Sequence, residues 1–167
     1  MSFSLVICLG NPLRGDDAFG LLVYRLLRKI RTPAVYAGMA PENITYVLRR
    51  VKPETVIIVD ALAGAGEGLA ILKLSDELIS RSFSSHLLPL RLLLESVGLD
   101  PSKVLVIGAG AMDLSLGSRP SERVRELAVE AASLIARILG RQASPRELKL
   151  GDEVSLLSGN VENPTFS

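Results

Sequence analysis

The sequence predicts an α/β fold: a parallel or mostly parallel sheet held between two helical layers. Three observations carry this. Short, nearly continuous apolar runs stand at residues 3–9, 55–59 and 104–107, as strands covered on both faces require. Between them the apolar spacing changes to a helical period. The first and third runs close on Gly10 and Gly108, the punctuation of a strand turning into a loop.

Taken in order, Phe3-Ser4-Leu5-Val6-Ile7-Cys8-Leu9 is the first strand. Phe19 to Ile30 follows as a helix, apolar on one side with Arg25, Arg28 and Lys29 on the other. Thr55-Val56-Ile57-Ile58-Val59 is a buried strand, and Leu69 to Leu74, after the turn Gly64-Ala65-Gly66-Glu67-Gly68, is an edge strand. His86 to Val97 is a Leu-rich helix, and Val104-Leu105-Val106-Ile107 a further strand. Ser121 to Leu139 is the longest amphipathic stretch, with Ser121 as its N-terminal cap. Residues 1–140 read as one domain, and 141–167 as a polar, loosely held tail.

Composition narrows the chemistry. The 167 residues are 48% hydrophobic, enough for one sizeable core, and only 4% aromatic, so that core is aliphatic. One cysteine and one histidine exclude a disulfide framework, a Cys-rich zinc site and any His cluster. A net charge of +1 shows no polyanion-binding excess, which argues against nucleic acid as a partner. The N-terminus lacks a basic n-region and no apolar run approaches the ~20 residues that cross a bilayer. The expectation is therefore a cytoplasmic protein with no membrane insertion.

In an open α/β sheet, ligands bind beyond the carboxyl ends of the strands. That rule selects Gly10-Asn11-Pro12-Leu13-Arg14-Gly15-Asp16-Asp17-Ala18-Phe19-Gly20, then Asp60-Ala61, then the single histidine in Ser84-Ser85-His86. The first segment is neither a dinucleotide fingerprint nor a P-loop, and its paired acids would repel a phosphate. Asp16 and Asp17 either cap the first helix or divide the work, one capping and the other turned into the crevice. Asp60 either caps a loop or faces the same crevice. His86 stands at a helix start, from which a ring projects into a cleft. Two carboxylates and one imidazole would suit a divalent transition metal, leaving positions open for other ligands.

These three segments, in this order, resemble the hydrogenase maturation endopeptidases, which trim the C-terminal extension of nickel–iron hydrogenase large subunits. The motif Gly-Asn-x-x-x-x-Asp-Asp/Glu-x-x-Gly stands at 10–20, the strand ending Asp-Ala at 56–61, and the Ser/Thr-rich stretch with His at 84–86. Pro89-Leu90 and Ala40-Pro41-Glu42-Asn43 are similar to the branch that matures formate-hydrogenlyase-type hydrogenases. The resemblance implies a three-layer α/β/α sandwich with a five-stranded twisted sheet. It implies that Asp17, Asp60 and His86 are the metal-binding and catalytic residues, and that the nickel is borne by the substrate, with no organic cofactor. It implies a large-subunit precursor as partner, with Asp16, Gly38 and Glu42 on the substrate side, Asp16 also capping the first helix. One departure stands out: the family commonly has an acid at the end of the second strand, where this chain has Tyr36 in Ala34-Val35-Tyr36-Ala37-Gly38. Two other readings follow from these residues. One is a non-catalytic assembly factor that binds nickel or a hydrogenase subunit, supported by Tyr36. The other is a nucleotide-binding α/β domain, disfavoured by the acidic first loop.

Overall fold

The computed structural model describes residues 3–81, 84–144 and 146–150. Five strands form one sheet: β1 (Ser4–Leu9), β2 (Ala34–Gly38), β3 (Thr55–Ala63), β4 (Leu69–Lys73) and β5 (Val104–Ala111), in the order β2-β1-β3-β5-β4. The first four neighbours run parallel, and β4 closes the edge antiparallel to β5. Five helices accompany them: α1 (Phe19–Lys29), α2 (Thr45–Val51), α3 (Asp76–Arg81), α4 (Leu87–Ser96) and α5 (Glu122–Ile138).

The layers follow from strand alternation. In β1, Val6 and Cys8 join the cluster that includes Leu22 and Leu26 of α1 and Leu127 and Ala131 of α5. Leu5, Ile7 and Leu9 point the other way, to Leu48 of α2 and Leu90 and Leu94 of α4. Two apolar clusters on opposite faces of one sheet make the expected three-layer α/β/α sandwich. Most of α1 is buried because it packs both on the sheet and against α5 beside it on the same face, leaving Arg28 and Lys29 exposed. Its approach to β1 depends on Gly20, where a Cβ would lie 1.9 Å from the Leu9 carbonyl oxygen.

Several boundaries differ from the sequence reading. The helices α2 and α3 have 7 and 6 residues, too short to show a period. The strand β3 runs past Asp60 to Ala63, because its pairing with β5 continues to Ala63↔Ala111. On its other side the pairing with β1 ends at Cys8↔Val59, so Asp60 is the first β3 residue without a β1 neighbour. The segment expected as the start of a loose tail lies against the domain. Leu148 is buried in the α1/α5 cluster, the Lys149 carbonyl accepts from Lys29 Nζ at 2.7 Å, and Arg141 donates to the Arg31 carbonyl at 2.9 Å. Apolar Ala143, Leu148 and Leu150, scattered through a polar stretch, supply that contact. The remainder of the expected tail, 151–167, lies outside the described residues. Among the described residues no helix is long and apolar enough to cross a membrane.

Candidate functional site

The chain turns to one side of β1 to make β2 and to the other to make β3, so a crevice opens beyond the carboxyl ends of β1 and β3. Sheet geometry decides what enters it. In β3, Ile58 and Leu62 face the α2/α4 layer, and Asp60 between them shares that direction. The same layer delivers His86, which stands at the N-cap position of α4 without a capping side-chain bond. Asp17 arrives from the third side, in the 3₁₀ turn Gly15–Ala18 that leads into α1.

The three side chains meet. One ligand atom from each of Asp17, Asp60 and His86 lies within 4.8 Å of the other two. Asp60 is fully buried and His86 is 9% exposed, while Asp17 is half-buried. His86 Nδ1 stands 3.5 Å from Asp60 Oδ1, and among the described residues neither atom has a hydrogen-bond partner. A buried carboxylate oxygen facing a buried imidazole nitrogen is costly unless a proton or cation completes the pair. Contact with the Asp60 carboxylate raises the His86 pKa above its ordinary value against the opposing effect of burial, and Asp17 adds to the rise. Burial raises the Asp17 pKa, and the Asp60 charge reinforces it, against a backbone hydrogen bond from Asn11. The site is thus a partly desolvated pocket in which two carboxylates face one imidazole, with the exposed Arg14 the other cationic group in its lining.

Local hydrogen bonds set each ligand. Asn11 N–H donates to Asp17 Oδ2 at 2.9 Å. Ser84 Oγ donates to Asp60 Oδ2 and accepts from His86 N–H at 3.3 Å, tying the β3 acid to the start of α4. One oxygen of Asp60 is therefore occupied and the other faces the imidazole. The crevice itself measures about 190 Å³ and is lined by Asp17, His86, Asn11, Arg14, Ser84, Ser85, Met39 and Leu114, among others; Asp60, fully buried, is outside this lining but within 4.8 Å of the Asp17 and His86 ligand atoms.

The remaining sequence expectations fare differently. Asp16 does not cap α1; the residue in that position is Ala18, without a side-chain bond. Instead Asp16 is fully buried and accepts three backbone N–H groups from the β5–α5 connection: Met112 at 2.9 Å, Asp113 at 3.1 Å and Ser121 at 2.8 Å. Burial alone would raise its pKa, but these three donors outweigh it and hold the carboxyl below the ordinary range. A side chain so enclosed has no surface to offer a substrate. Gly38 ends β2 at φ +64° and its carbonyl accepts from Gly10 N–H at 2.9 Å. Glu42 is exposed on the turn Pro41–Ile44. Neither lines the crevice; their neighbour Met39 does. Cys8 lies in the core, where burial pushes its thiol far up, so it stays protonated and unreactive.

Sequence reasoning missed Ser84 as the link between Asp60 and His86, although it stands inside the motif already singled out. It also missed Leu114, which reaches the crevice because the 112–118 loop is bound to the first loop. Asp16 N–H donates to the Asp113 carbonyl at 2.8 Å, Gly117 N–H to the Leu13 carbonyl at 2.7 Å, and Arg14 Nε to the Leu114 carbonyl at 3.0 Å. No local signal marks a contact across a hundred residues.

No known family model matches the sequence. It is 33% identical over 103 residues to a candidate hydrogenase maturation protease of Methanocaldococcus jannaschii, a match covering 54% of this chain and 61% of that protein. It is 28% identical over 109 residues to the hydrogenase 3 maturation protease of Escherichia coli, covering 62% and 70% of the two chains. The crystal structure of the NiFe hydrogenase maturation protease HycI from Thermococcus kodakarensis is similar at 31% identity. It superimposes with a TM-score of 0.66 over 84% of this chain and 94% of that one.

Proposed function

The chain belongs to the hydrogenase maturation protease family, and from that premise we propose that it is a processing endopeptidase. Its substrate on this reading is a nickel–iron hydrogenase large-subunit precursor, from which it removes the C-terminal extension once nickel is in place. The nickel is part of the substrate. Asp17, Asp60 and His86 read it.

One observation carries the proposal: Asp60 Oδ1 and His86 Nδ1 are buried, face each other at 3.5 Å and have no hydrogen-bond partner among the described residues, with Asp17 completing a set within 4.8 Å. A dication entering from the crevice satisfies both orphaned atoms and is neutralised by the two carboxylates. Three protein ligands leave coordination positions for groups of the substrate, so a metal held by the precursor could be gripped without being extracted. A precursor without nickel would leave the carboxylates unneutralised and the docking weak. Hydrolysis by water fits the residues present: the single cysteine is inert in the core, and the Ser84 hydroxyl beside Asp60 and His86 donates to the Asp60 carboxylate rather than to the imidazole, so it is not set up as a nucleophile.

Incubation with a nickel-loaded precursor tests this. The wild-type protein releases a C-terminal peptide, detected by mass, and Asp60→Asn does not, because it discards one of the two neutralising charges. Tight association of the wild type with the precursor without peptide release would instead mark a non-catalytic assembly factor and overturn the proposal.

A further inference from the structure

The peptide unit between Gly10 and Asn11 is gripped at both ends. Its N–H, from Asn11, donates to Asp17 Oδ2 at 2.9 Å. Its carbonyl, from Gly10, accepts the Tyr36 hydroxyl at 2.6 Å. There is little room for any other arrangement: Gly10 has φ +131°, and a Cβ there would lie 2.1 Å from the Asp17 carbonyl oxygen. With no side chain at Gly10 to fix the rotation of this peptide, its hydrogen bonds fix it.

Tyr36 reaches the loop from the neighbouring strand. It pairs in register with Cys8, two residues before Gly10, and its ring leans on Tyr24 of α1, with centroids 6.0 Å apart. Burial raises its pKa, and the Asp17 carboxylate adds to the effect, so the phenol remains a donor at any physiological pH. An amide whose carbonyl accepts a strong hydrogen bond is itself a stronger N–H donor. Ser84 plays the equivalent part for Asp60, holding one of its oxygens.

We propose that Tyr36 is a positioning residue for Asp17: through the Gly10–Asn11 peptide its hydroxyl orients and polarises the N–H that holds the Asp17 carboxylate. This rests on the reading of Asp17 as a nickel ligand. It also means that a tyrosine at this position supports the acid site.

Tyr36→Phe retains the ring and removes only the hydroxyl. The expected results are Ni²⁺ binding weakened about tenfold by calorimetry and amide hydrogen exchange at Asn11 accelerated by a similar factor. In an Asp17→Asn background, Tyr36→Phe produces no further loss of Ni²⁺ affinity, because the group it acts through is gone. Tyr24→Phe, which removes only the hydroxyl of the adjacent ring, leaves both readouts unchanged. Wild-type Ni²⁺ affinity with wild-type Asn11 exchange in Tyr36→Phe overturns the inference and leaves the proposed function standing. So does a loss of affinity that adds in full to that of Asp17→Asn, since it would not pass through Asp17. If the wild-type protein neither binds Ni²⁺ nor cleaves a nickel-loaded precursor, the proposed function fails. Exchange at Asn11 alone then decides whether Tyr36 holds the loop.

Discussion

His86 holds its proton more tightly in the folded chain than it would unfolded, since the Asp60 carboxylate beside it favours the cation. The stability this group contributes is therefore fully present below the unfolded value of about 6.5 and is lost as pH rises through the higher folded value. Metal competes for the same nitrogen and requires it deprotonated, so nickel association moves in the opposite direction. In the metal-free protein the thermal midpoint should fall as pH rises from about 6.5 through the raised folded value, and His86→Ala should flatten that slope. Ni²⁺ affinity should rise across the same interval. Circular dichroism melts with and without Ni²⁺ check both signs. A midpoint that climbs with pH in the metal-free wild type would contradict the burial of an Asp60–His86 pair.

Between elements, the decisive link joins the loop after β1 to the connection before α5. Asp16 is its centre, accepting from Met112, Asp113 and Ser121 while its own N–H reaches back to Asp113. The link carries Ser121, whose hydroxyl caps α5 by accepting from Val124 N–H at 3.2 Å, and brings Leu114 to the crevice. Asp16→Asn has nearly the same shape, yet it replaces a charged acceptor by one oxygen and an amide that must face an N–H donor. Losing charge-assisted bonds and opposing two donors should destabilise the fold by about 3 kcal/mol in urea unfolding. Asp17→Asn, half-buried and held by a single backbone donor, should cost much less stability while weakening Ni²⁺ binding. Equal stability losses in the two variants would show that the adjacent acids do not divide their work in this way.

At the scale of the molecule, the sheet and its layers were legible because apolar runs and helical periods are properties of the local sequence. The runs at 3–9, 55–59 and 104–107 became β1, β3 and β5, and Ser121 caps α5 as its position indicated. Topology picked out the segments that hold Asp17, Asp60 and His86 as candidates at the carboxyl edge of the sheet, while the choice of Asp17 over Asp16 and the grouping of the three came from the family resemblance. Asp16 misled because a cap and a long-range latch demand the same residue type next to a helix start. The roles of Tyr36, Ser84 and the 112–118 loop depend on partners brought together only by folding, so neither spacing nor composition announces them.

The central claim is that an acidic crevice with two orphaned buried atoms recognises a metal carried by its substrate. It is tested most directly by offering the protein one hydrogenase large-subunit precursor in two forms, nickel-loaded and metal-free, and following loss of the C-terminal extension by mass. Cleavage confined to the nickel-loaded form, and abolished by His86→Ala, is the result expected. Cleavage of both forms at equal rates, or undiminished cleavage by His86→Ala, would contradict it.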